Sequence, residues 1–241
     1  MSSGHNTVGV IVPAAGKGVR LGAGTPKQLM DLAGKPLLVH ALGFFQELPA
    51  VGRIVVAAPA DLTGEMETIF RRFGLSKIVA VVGGGAERQD SVYNGLKFFA
   101  ADPPELVLIH DAVRPFPDGG TVQRVLDAAA LFGAAVPAMI PKETVKIASE
   151  DLFVRGTLPR DELRAVQTPQ GFRFQVIFEA YRKAAAEQRA ATDDASLVES
   201  AGGKVKIVEG NYENIKVTTP EDLELAEIIC RTRSGCESCD S

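Results

Sequence analysis

The sequence has no long apolar run and no excess of basic residues. Its 26 lysine and arginine residues stand against 30 aspartate and glutamate residues, which leaves a net charge of -4. This balance argues against a general nucleic-acid binder, which needs a basic face to displace counterions. No apolar stretch is long enough to span a bilayer, and residues 1–6 are too polar for a secretory signal. We therefore expect a cytoplasmic protein that binds neither nucleic acid nor a membrane.

Cysteine is scarce and confined to the end of the chain. The three cysteines are Cys230, Cys236 and Cys239. The last two form a Cys-x-x-Cys pair, but the second pair of ligands that a structural zinc site needs is missing. We predict that residues 231–241 form a disordered tail with reduced thiols, and a redox or metal role is the minor alternative.

Two common phosphate-binding motifs are also missing. No segment matches the Walker A pattern Gly-x-x-x-x-Gly-Lys-Ser/Thr. Gly16, Gly18 and Gly22 are one residue out of step with the dinucleotide fingerprint. That fingerprint also requires an acidic ribose anchor after the second strand, where this chain has Ala57-Ala-Pro. A nicotinamide oxidoreductase is therefore a poor interpretation.

A different glycine-rich loop follows the first predicted strand, Val8–Val12. Gly16 and Gly18 permit the backbone angles from which successive N–H groups converge on an anion. Arg20 and Lys27 add two full positive charges close by in the sequence. The loop therefore predicts a phosphate site, and a triphosphate is its obvious occupant.

Strand-like and helix-like segments alternate along the chain, which is typical of a parallel sheet wrapped by helices. With 241 residues and 46% hydrophobic residues, the chain fits one large α/β domain over 1–241. The predicted strands are 8–12, 53–59, 77–82, 105–109, 134–140 and 204–208. The predicted helices are 36–48, 61–73, 89–100, 120–132, 173–187, one capped by Thr192 that ends at Ser200, and one that starts at Thr219.

Two further loops lie at strand ends, where ligands bind in such sheets. Residues 83–85 are three consecutive glycines that could wrap a base and ribose, and Asp90 or Ser91 could cap the next helix. An ordinary turn is the alternative for this loop. Asp111 follows the fourth strand and is our candidate ligand for Mg²⁺ or another divalent cation. A helix cap or an ion pair with Arg114 is the alternative for Asp111, and the neighbouring His110 is expected to pack or hydrogen bond.

Several motifs occur in one order: Pro-Ala-Ala-Gly-x-Gly-x-Arg, Pro-Lys-Gln, Gly-Gly-x-Glu-Arg-x-Asp-Ser-Val, His-Asp-Ala-x-Arg-Pro, Gln-Thr-Pro-Gln, Thr-Asp-Asp-Ala-Ser and Asn-Ile-Lys-Val-Thr. Together they resemble the 2-C-methyl-D-erythritol 4-phosphate cytidylyltransferases over about residues 8–229. The resemblance implies a Rossmann-like, mostly parallel twisted sheet of nucleotidyltransferase type. It also implies transfer of CMP from CTP to methylerythritol phosphate, with Mg²⁺ and release of pyrophosphate.

The same resemblance implies roles for single residues. It puts Arg20 and Lys27 on the triphosphate, Lys216 near the α-phosphate and Asp111 on the metal. The nucleotide would be bound by Ala14, Ala15, Gly16, Gly18, Gly85 and Ser91. Ala86 stands where relatives often carry an acid.

Residues 141–164 interrupt the alternation and are predicted to form a protruding β-hairpin arm. The resemblance implies that this arm clasps a second subunit in a homodimer and brings Thr144 and Arg160 toward the partner's polyol phosphate. A solvated arginine is the alternative for Arg160. By the same resemblance Arg114, Thr192 and Asp193 contact the alcohol substrate, and Thr192 could serve only as a helix cap.

Two alternative functions stay open at this point. A ribitol 5-phosphate cytidylyltransferase would share the nucleotide loops and differ chiefly in the alcohol pocket. A non-catalytic nucleotide-binding regulator would tolerate the loss of Lys27, Asp111 or Lys216, and all three are present.

Overall fold

The computed structural model describes residues 8–16 and 26–233. Its strands are β1 (Val8–Pro13), β2 (Asp31–Leu32), β3 (Lys35–Pro36), β4 (Val51–Ala58), β5 (Ile78–Gly83), β6 (Leu106–Ile109), β7 (Ala134–Met139), β8 (Lys146–Ala148), β9 (Val154–Thr157), β10 (Ala165–Val166), β11 (Gln170–Arg173) and β12 (Lys206–Glu209). Its helices are α1 (Leu37–Glu47), α2 (Thr63–Arg72), α3 (Arg88–Phe99), α4 (Gly119–Phe132), α5 (Phe174–Ala186), α6 (Asp194–Ser200) and α7 (Pro220–Arg233).

The main sheet has eight strands and is mixed but mostly parallel, as predicted. Its order is β5-β4-β1-β6-β11-β7. Strand β7 pairs with β11 and the short β10 along one side and with β12 along the other. The pairs β1·β4, β1·β6, β4·β5 and β7·β12 are parallel, whereas β10 and β11 run antiparallel to their neighbours. The carboxyl ends of β1, β4, β5 and β6 therefore meet at one edge, where the predicted loops follow.

The sequence pattern did not predict β11. Its residues, Gln-Gly-Phe-Arg, are too few and too polar for a recognisable strand, although the helix predicted from Arg173 onward is present as α5. Gly171 lets this strand pass close to α4, because a Cβ there would lie 2.5 Å from Cγ1 of Val125. The other predicted strand and helix ends lie within two residues of the observed ones.

Helices cover both faces of the sheet. Alternate residues of β1 point to opposite sides, so that Val10 and Val12 join one apolar core and Ile11 joins the other, all fully buried. The first core packs α1, α2 and α4, and the second packs α3, α5 and α6. This double cover leaves the strand ends as the place where a polar ligand can approach.

The predicted arm is confirmed as a hairpin. Strands β8 and β9 pair antiparallel in a separate two-stranded sheet. Its side chains are largely exposed, including Phe153 at 72% and Leu152 at 85%.

The last helix differs in two respects from expectation. It continues to Arg233, so the predicted disordered tail was wrong for residues 231–233, while 234–241 lie outside the described residues. Leu225 and Ile228 of this helix are apolar and would be expected to face the core, but both are exposed. Among the described helices, none is both long and apolar enough to cross a membrane.

Candidate active site

Residues Ala14 to Gly16 directly follow β1 and lie beside the end of β4 and the segment of Gln28. The amide of Ala14 donates to the carbonyl of Ala57 at 2.7 Å, which continues the pairing with β4 beyond the strand. The buried side chain of Gln28 donates to the carbonyl of Ala14 at 2.6 Å and so fixes the segment that returns from the loop. Ala15 is half-buried and Gly16 is exposed. Gly18 and Arg20 lie outside the described residues.

The triple-glycine loop after β5 packs directly on this first loop. A Cβ on Gly84 would lie 2.2 Å from the Cβ of Ala15, so only glycine allows this approach. The Gly84 amide donates to Ala58 O at 2.7 Å. The two predicted nucleotide loops are therefore in contact.

Ser91 shapes the second loop from inside. Its buried hydroxyl accepts from the amide of Gly85 at 3.1 Å and donates to the carbonyl of Glu87 at 3.2 Å. The predicted cap at Asp90 or Ser91 was wrong, because α3 begins earlier and its N-cap is Glu87. Asp90 instead accepts from the Glu87 amide at 3.1 Å, which is half of a capping box.

Lys27 and Lys216 come to the same region from distant parts of the chain. Lys27 Nζ donates to the carbonyl of Thr218 at 2.9 Å, two residues after Lys216. Lys216 Nζ lies 2.9 Å from Oδ2 of Asp111, and its side chain is 43% exposed. The structure therefore brings together these three residues, which the sequence analysis had selected from three separate motifs.

Asp111 is the centre of a cationic cluster. Its Oδ1 accepts a hydrogen bond from Arg88 Nε at 3.0 Å. Its Oδ2, which contacts Lys216, also lies 3.7 Å from Arg114 Nε. Burial raises the pKa of this carboxyl, but the charges of the three neighbouring cations outweigh burial and hold the pKa well below its usual range. Asp111 is therefore ionised at neutral pH. The ion pair with Arg114, which was the alternative to a metal-binding role for Asp111, is present.

His110 is a structural residue, as expected. It is fully buried, with Nδ1 3.1 Å from the Thr168 hydroxyl and Nε2 2.9 Å from the carbonyl of Arg114. Burial lowers its pKa to about 4. Since a carbonyl can only accept, Nε2 carries the proton of the neutral ring. The Thr168 hydroxyl also accepts a hydrogen bond from the Asp111 amide at 3.0 Å. This bond connects the loop after β6 to the segment before β11.

The sequence motifs did not indicate Arg88, Asp194 or Tyr181 as residues of the site. Two N–H groups of Arg88 donate to the carboxylate of Asp194, at 3.0 and 2.7 Å, and Tyr181 donates its hydroxyl to the same carboxylate. Asp194 is fully buried at the start of α6. Burial lowers the pKa of Arg88, but Asp194 and Asp111 raise it by more, so that it stays above its ordinary value. Both residues stood in quoted motifs, yet 106 positions separate them, and no local pattern could indicate that they pair.

The predicted alcohol-binding residues fall into separate places. Arg114 belongs to the Asp111 cluster and donates to the carbonyl of Asn214 at 2.7 Å. Thr144 and Arg160 lie together at the base of the arm, 3.4 Å apart. Thr192 is exposed and its predicted role as a cap was wrong, because Asp193 caps α6 by accepting from the Ser196 amide at 3.0 Å.

The donor set limits how a metal could bind. Within residues 8–16 and 26–233, no group of three or more His, Cys, Asp or Glu side chains could enclose a cation. Asp111 offers one carboxylate, already shared with basic residues. Mg²⁺ often takes only one or two carboxylates and completes its shell with substrate phosphates and water. The residues therefore fit a cation that arrives with a nucleotide.

The two glycine loops are in contact at the ends of the parallel strands. Lysines and arginines gather there around one carboxylate. Together these features form a nucleotide-binding site with an excess of positive charge. This fold and site define a nucleotidyltransferase. The family model described as IspD: 2-C-methyl-D-erythritol 4-phosphate cytidylyltransferase matches residues 8–232, and the chain belongs to this family.

Similar proteins agree with this assignment. The 2-C-methyl-D-erythritol 4-phosphate cytidylyltransferase of Pelotomaculum thermopropionicum is 48% identical over 229 residues, which cover 95% of this chain and 96% of that protein. The corresponding enzyme of Geobacillus kaustophilus is 47% identical over 92% of this chain and 96% of its own length.

Solved structures show the same fold. The 4-diphosphocytidyl-2C-methyl-D-erythritol synthase of Anaerococcus prevotii superposes with a TM-score of 0.81 at 32% identity, over 93% of this chain and 96% of that one. The Thermus thermophilus 2-C-methyl-D-erythritol 4-phosphate cytidylyltransferase gives a TM-score of 0.76 at 35% identity, over 92% and 98%.

Proposed function

We propose that this protein transfers CMP from CTP to 2-C-methyl-D-erythritol 4-phosphate and releases pyrophosphate and 4-diphosphocytidyl-2-C-methyl-D-erythritol. The observation that carries the chemistry is the convergence of Lys27, Lys216 and the Asp111 cluster beside the glycine loops. The family of the chain supports the choice of substrates. A ribitol phosphate is not favoured, since the relatives and structures described above are named for the methylerythritol substrate.

The reaction needs charge stabilisation more than proton transfer. A phosphate oxygen of the polyol attacks the α-phosphorus of CTP, a new P–O bond forms, and the bond to pyrophosphate breaks. Because a phosphate monoester is already largely ionised near pH 7, no general base is required. Negative charge grows on the α-phosphate oxygens and on the leaving group, where fixed cations lower the barrier most.

Each cation has a proposed place in this scheme. Lys216 would turn from Asp111 to the α-phosphate, and Lys27 would hold the triphosphate together with Arg20. A divalent cation such as Mg²⁺, carried by the nucleotide and held on the protein side by Asp111, would neutralise phosphate charge when bound. The main chain of Gly16 and Gly18 would complete the phosphate site.

The base would be recognised mainly through the backbone. Ala14, Ala15 and Gly85 would offer main-chain groups to the base, since Ala15 lies against Gly84 where the two loops meet and Ser91 holds the Gly85 amide. Backbone groups can select cytosine over uracil by accepting a hydrogen bond from its exocyclic amino group, which uracil lacks.

The arm would complete the site in a homodimer. Its exposed apolar side chains at Leu152, Phe153 and Val154 fit a buried interface better than solvent. The partner's Thr144 and Arg160 would then hold the polyol phosphate, with Arg114 and the segment of Thr192 and Asp193 on the other side. CTP is a cytoplasmic metabolite, so the reaction would take place in the cytoplasm.

The test is a pyrophosphate-release assay across nucleotides and acceptors. CTP, UTP, ATP and GTP are each paired with methylerythritol phosphate and with ribitol 5-phosphate. We expect release chiefly with CTP and methylerythritol phosphate. Faster release with ribitol 5-phosphate, or an equal rate with UTP, would contradict the proposal.

A further inference from the structure

Arg88 binds a second carboxylate, that of Asp194, in addition to Asp111. Two of its N–H groups hold the fully buried Asp194, and a third, on Nε, donates to Oδ1 of Asp111. Asp194 is held in turn by the hydroxyl of Tyr181. A planar guanidinium with a bidentate partner keeps one fixed orientation. The Nε group that faces Asp111 therefore stays in place.

Lys216, by contrast with Arg88, is bound through a flexible and more exposed side chain. Its ammonium contacts the other oxygen of Asp111, and its side chain is 43% exposed, compared with 30% for Arg88. A lysine reaches its partner through a flexible chain and can exchange one anion for another. Lys216 is thus the member of the cluster that can turn toward a phosphate.

Movement of the Lys216 ammonium away from Asp111 has an electrostatic cost, and this cost depends on Arg88. Asp111 is only 7% exposed, and a buried carboxylate that loses its close cation is strongly unfavourable. When Lys216 moves to a phosphate, Arg88 still neutralises Oδ1 at 3.0 Å, whereas Arg114 Nε is 3.7 Å from Oδ2. Without Arg88, the carboxylate would hold Lys216 more tightly.

We propose that Arg88 is a positioning residue that shares the charge of Asp111 and thereby releases Lys216 for the α-phosphate in the transition state. The inference rests on the proposed function, because the phosphate is that of bound CTP. It assigns a role in turnover to a residue that acts through Asp111 and Lys216 and that is fixed by Asp194 of α6.

The test uses a variant that leaves no unpaired buried charge. Arg88→Gln alone would strand the buried Asp194, so it is combined with Asp194→Asn. This paired variant is measured by steady-state kinetics with CTP and methylerythritol phosphate, and by its thermal midpoint. Tyr181→Phe is the matched control, since it removes a hydrogen bond from Asp194 but leaves the contact between Arg88 and Asp111 in place.

We expect the paired variant to lower kcat at least about tenfold while KM for CTP changes less than about threefold, because the lost effect belongs to the transition state. Tyr181→Phe should keep kcat near that of the parent. In a Lys216→Ala background, the paired change should lower kcat by less than about threefold, since there is no lysine left to release.

The following results would contradict the role proposed for Arg88. An equal drop in kcat in both backgrounds, or a drop in Tyr181→Phe as large as in the paired variant, would assign Arg88 to the fold and overturn the proposal. If the paired variant does not fold, Arg88→Lys replaces it, and failure of both to fold would overturn the proposal in the same way. Absence of turnover by the parent protein would instead refute the proposed function.

Discussion

Acid is expected to destabilise the fold through His110. The ring is fully buried and neutral, with its two nitrogens against Thr168 and the carbonyl of Arg114. Its pKa is lowered by burial from 6.5 to about 4. Between these two values the unfolded chain binds a proton that the folded chain does not, so the free energy of unfolding falls as the pH falls through this range.

The size of this effect follows from the two pKa values. Each unit of difference corresponds to about 1.4 kcal/mol, so the change from 6.5 to about 4 amounts to about 3 kcal/mol at pH 4. Asp111 adds little to the loss in this window, because its carboxyl in the unfolded chain has an ordinary pKa of 3.8 and takes up most of its proton only below pH 4.

The assay is urea unfolding at a series of pH values from about 7.5 to 4.5. The parent is compared with His110→Gln, whose side-chain amide can still donate to the Arg114 carbonyl but does not titrate. His40→Gln is the matched control, because His40 Nε2 also contacts a backbone carbonyl, that of Leu32, at 2.7 Å. We expect His110→Gln to be less stable at neutral pH and to show a clearly flatter acid slope, while His40→Gln keeps the slope of the parent. An acid slope in His110→Gln as steep as in the parent would refute the reasoning.

Three further predictions concern the site and the arm. Lys27→Ala should lower turnover by about 100-fold or more without lowering the thermal midpoint, because it removes a charge from the triphosphate, and unchanged pyrophosphate release would contradict this. Gly84→Val should raise KM for CTP and cost about 1–3 kcal/mol of stability, since its Cβ would meet Ala15 at 2.2 Å; Gly83→Val, where a Cβ meets nothing within 4 Å, is the control. Phe153→Glu should shift the protein from dimer to monomer in sedimentation velocity, whereas Leu131→Glu, at an equally exposed leucine of α4, should not, and an unchanged dimer in the first variant would exclude the arm as the interface.

Local patterns were sufficient to predict most of the fold. Buried β-branched runs and helical periodicity placed the strands and helices of the sheet, and turn residues marked the arm. The sequence indicated that the glycines at 83–85 wrap a base and ribose, which stays a prediction, whereas the structure shows that Gly84 permits a close approach to Ala15. Two kinds of feature were not predicted. The short strand β11 is held by tertiary contact with β6 and β7 on either side. At the helix caps, local geometry decides which of several adjacent polar side chains reaches the amide.

The site was predicted only in part, because local patterns indicate some of its residues and not others. Lys27, Asp111 and Lys216 belong to motifs that can be recognised one at a time, and the fold then brings them together. The link from Arg88 to Asp194 spans 106 positions and has no local signal, because an arginine at a helix start and an aspartate at another each have ordinary surface explanations. Only the sheet order, which stacks α3 beside α5 and α6 on one face, makes them partners.

The charges explain how an acidic protein can attract a triphosphate. Over the whole chain acidic residues exceed basic ones by four, yet the cluster of Arg88, Arg114 and Lys216 with Asp111 and Asp194 carries one net positive charge. Both carboxylates are buried and fully paired, so they orient the cations and add little negative potential toward solvent. Lys27 lies against the same segment and adds a further charge. Positive charge gathered at the strand ends draws an anion to that place, whereas an extended basic surface would bind anions at many places.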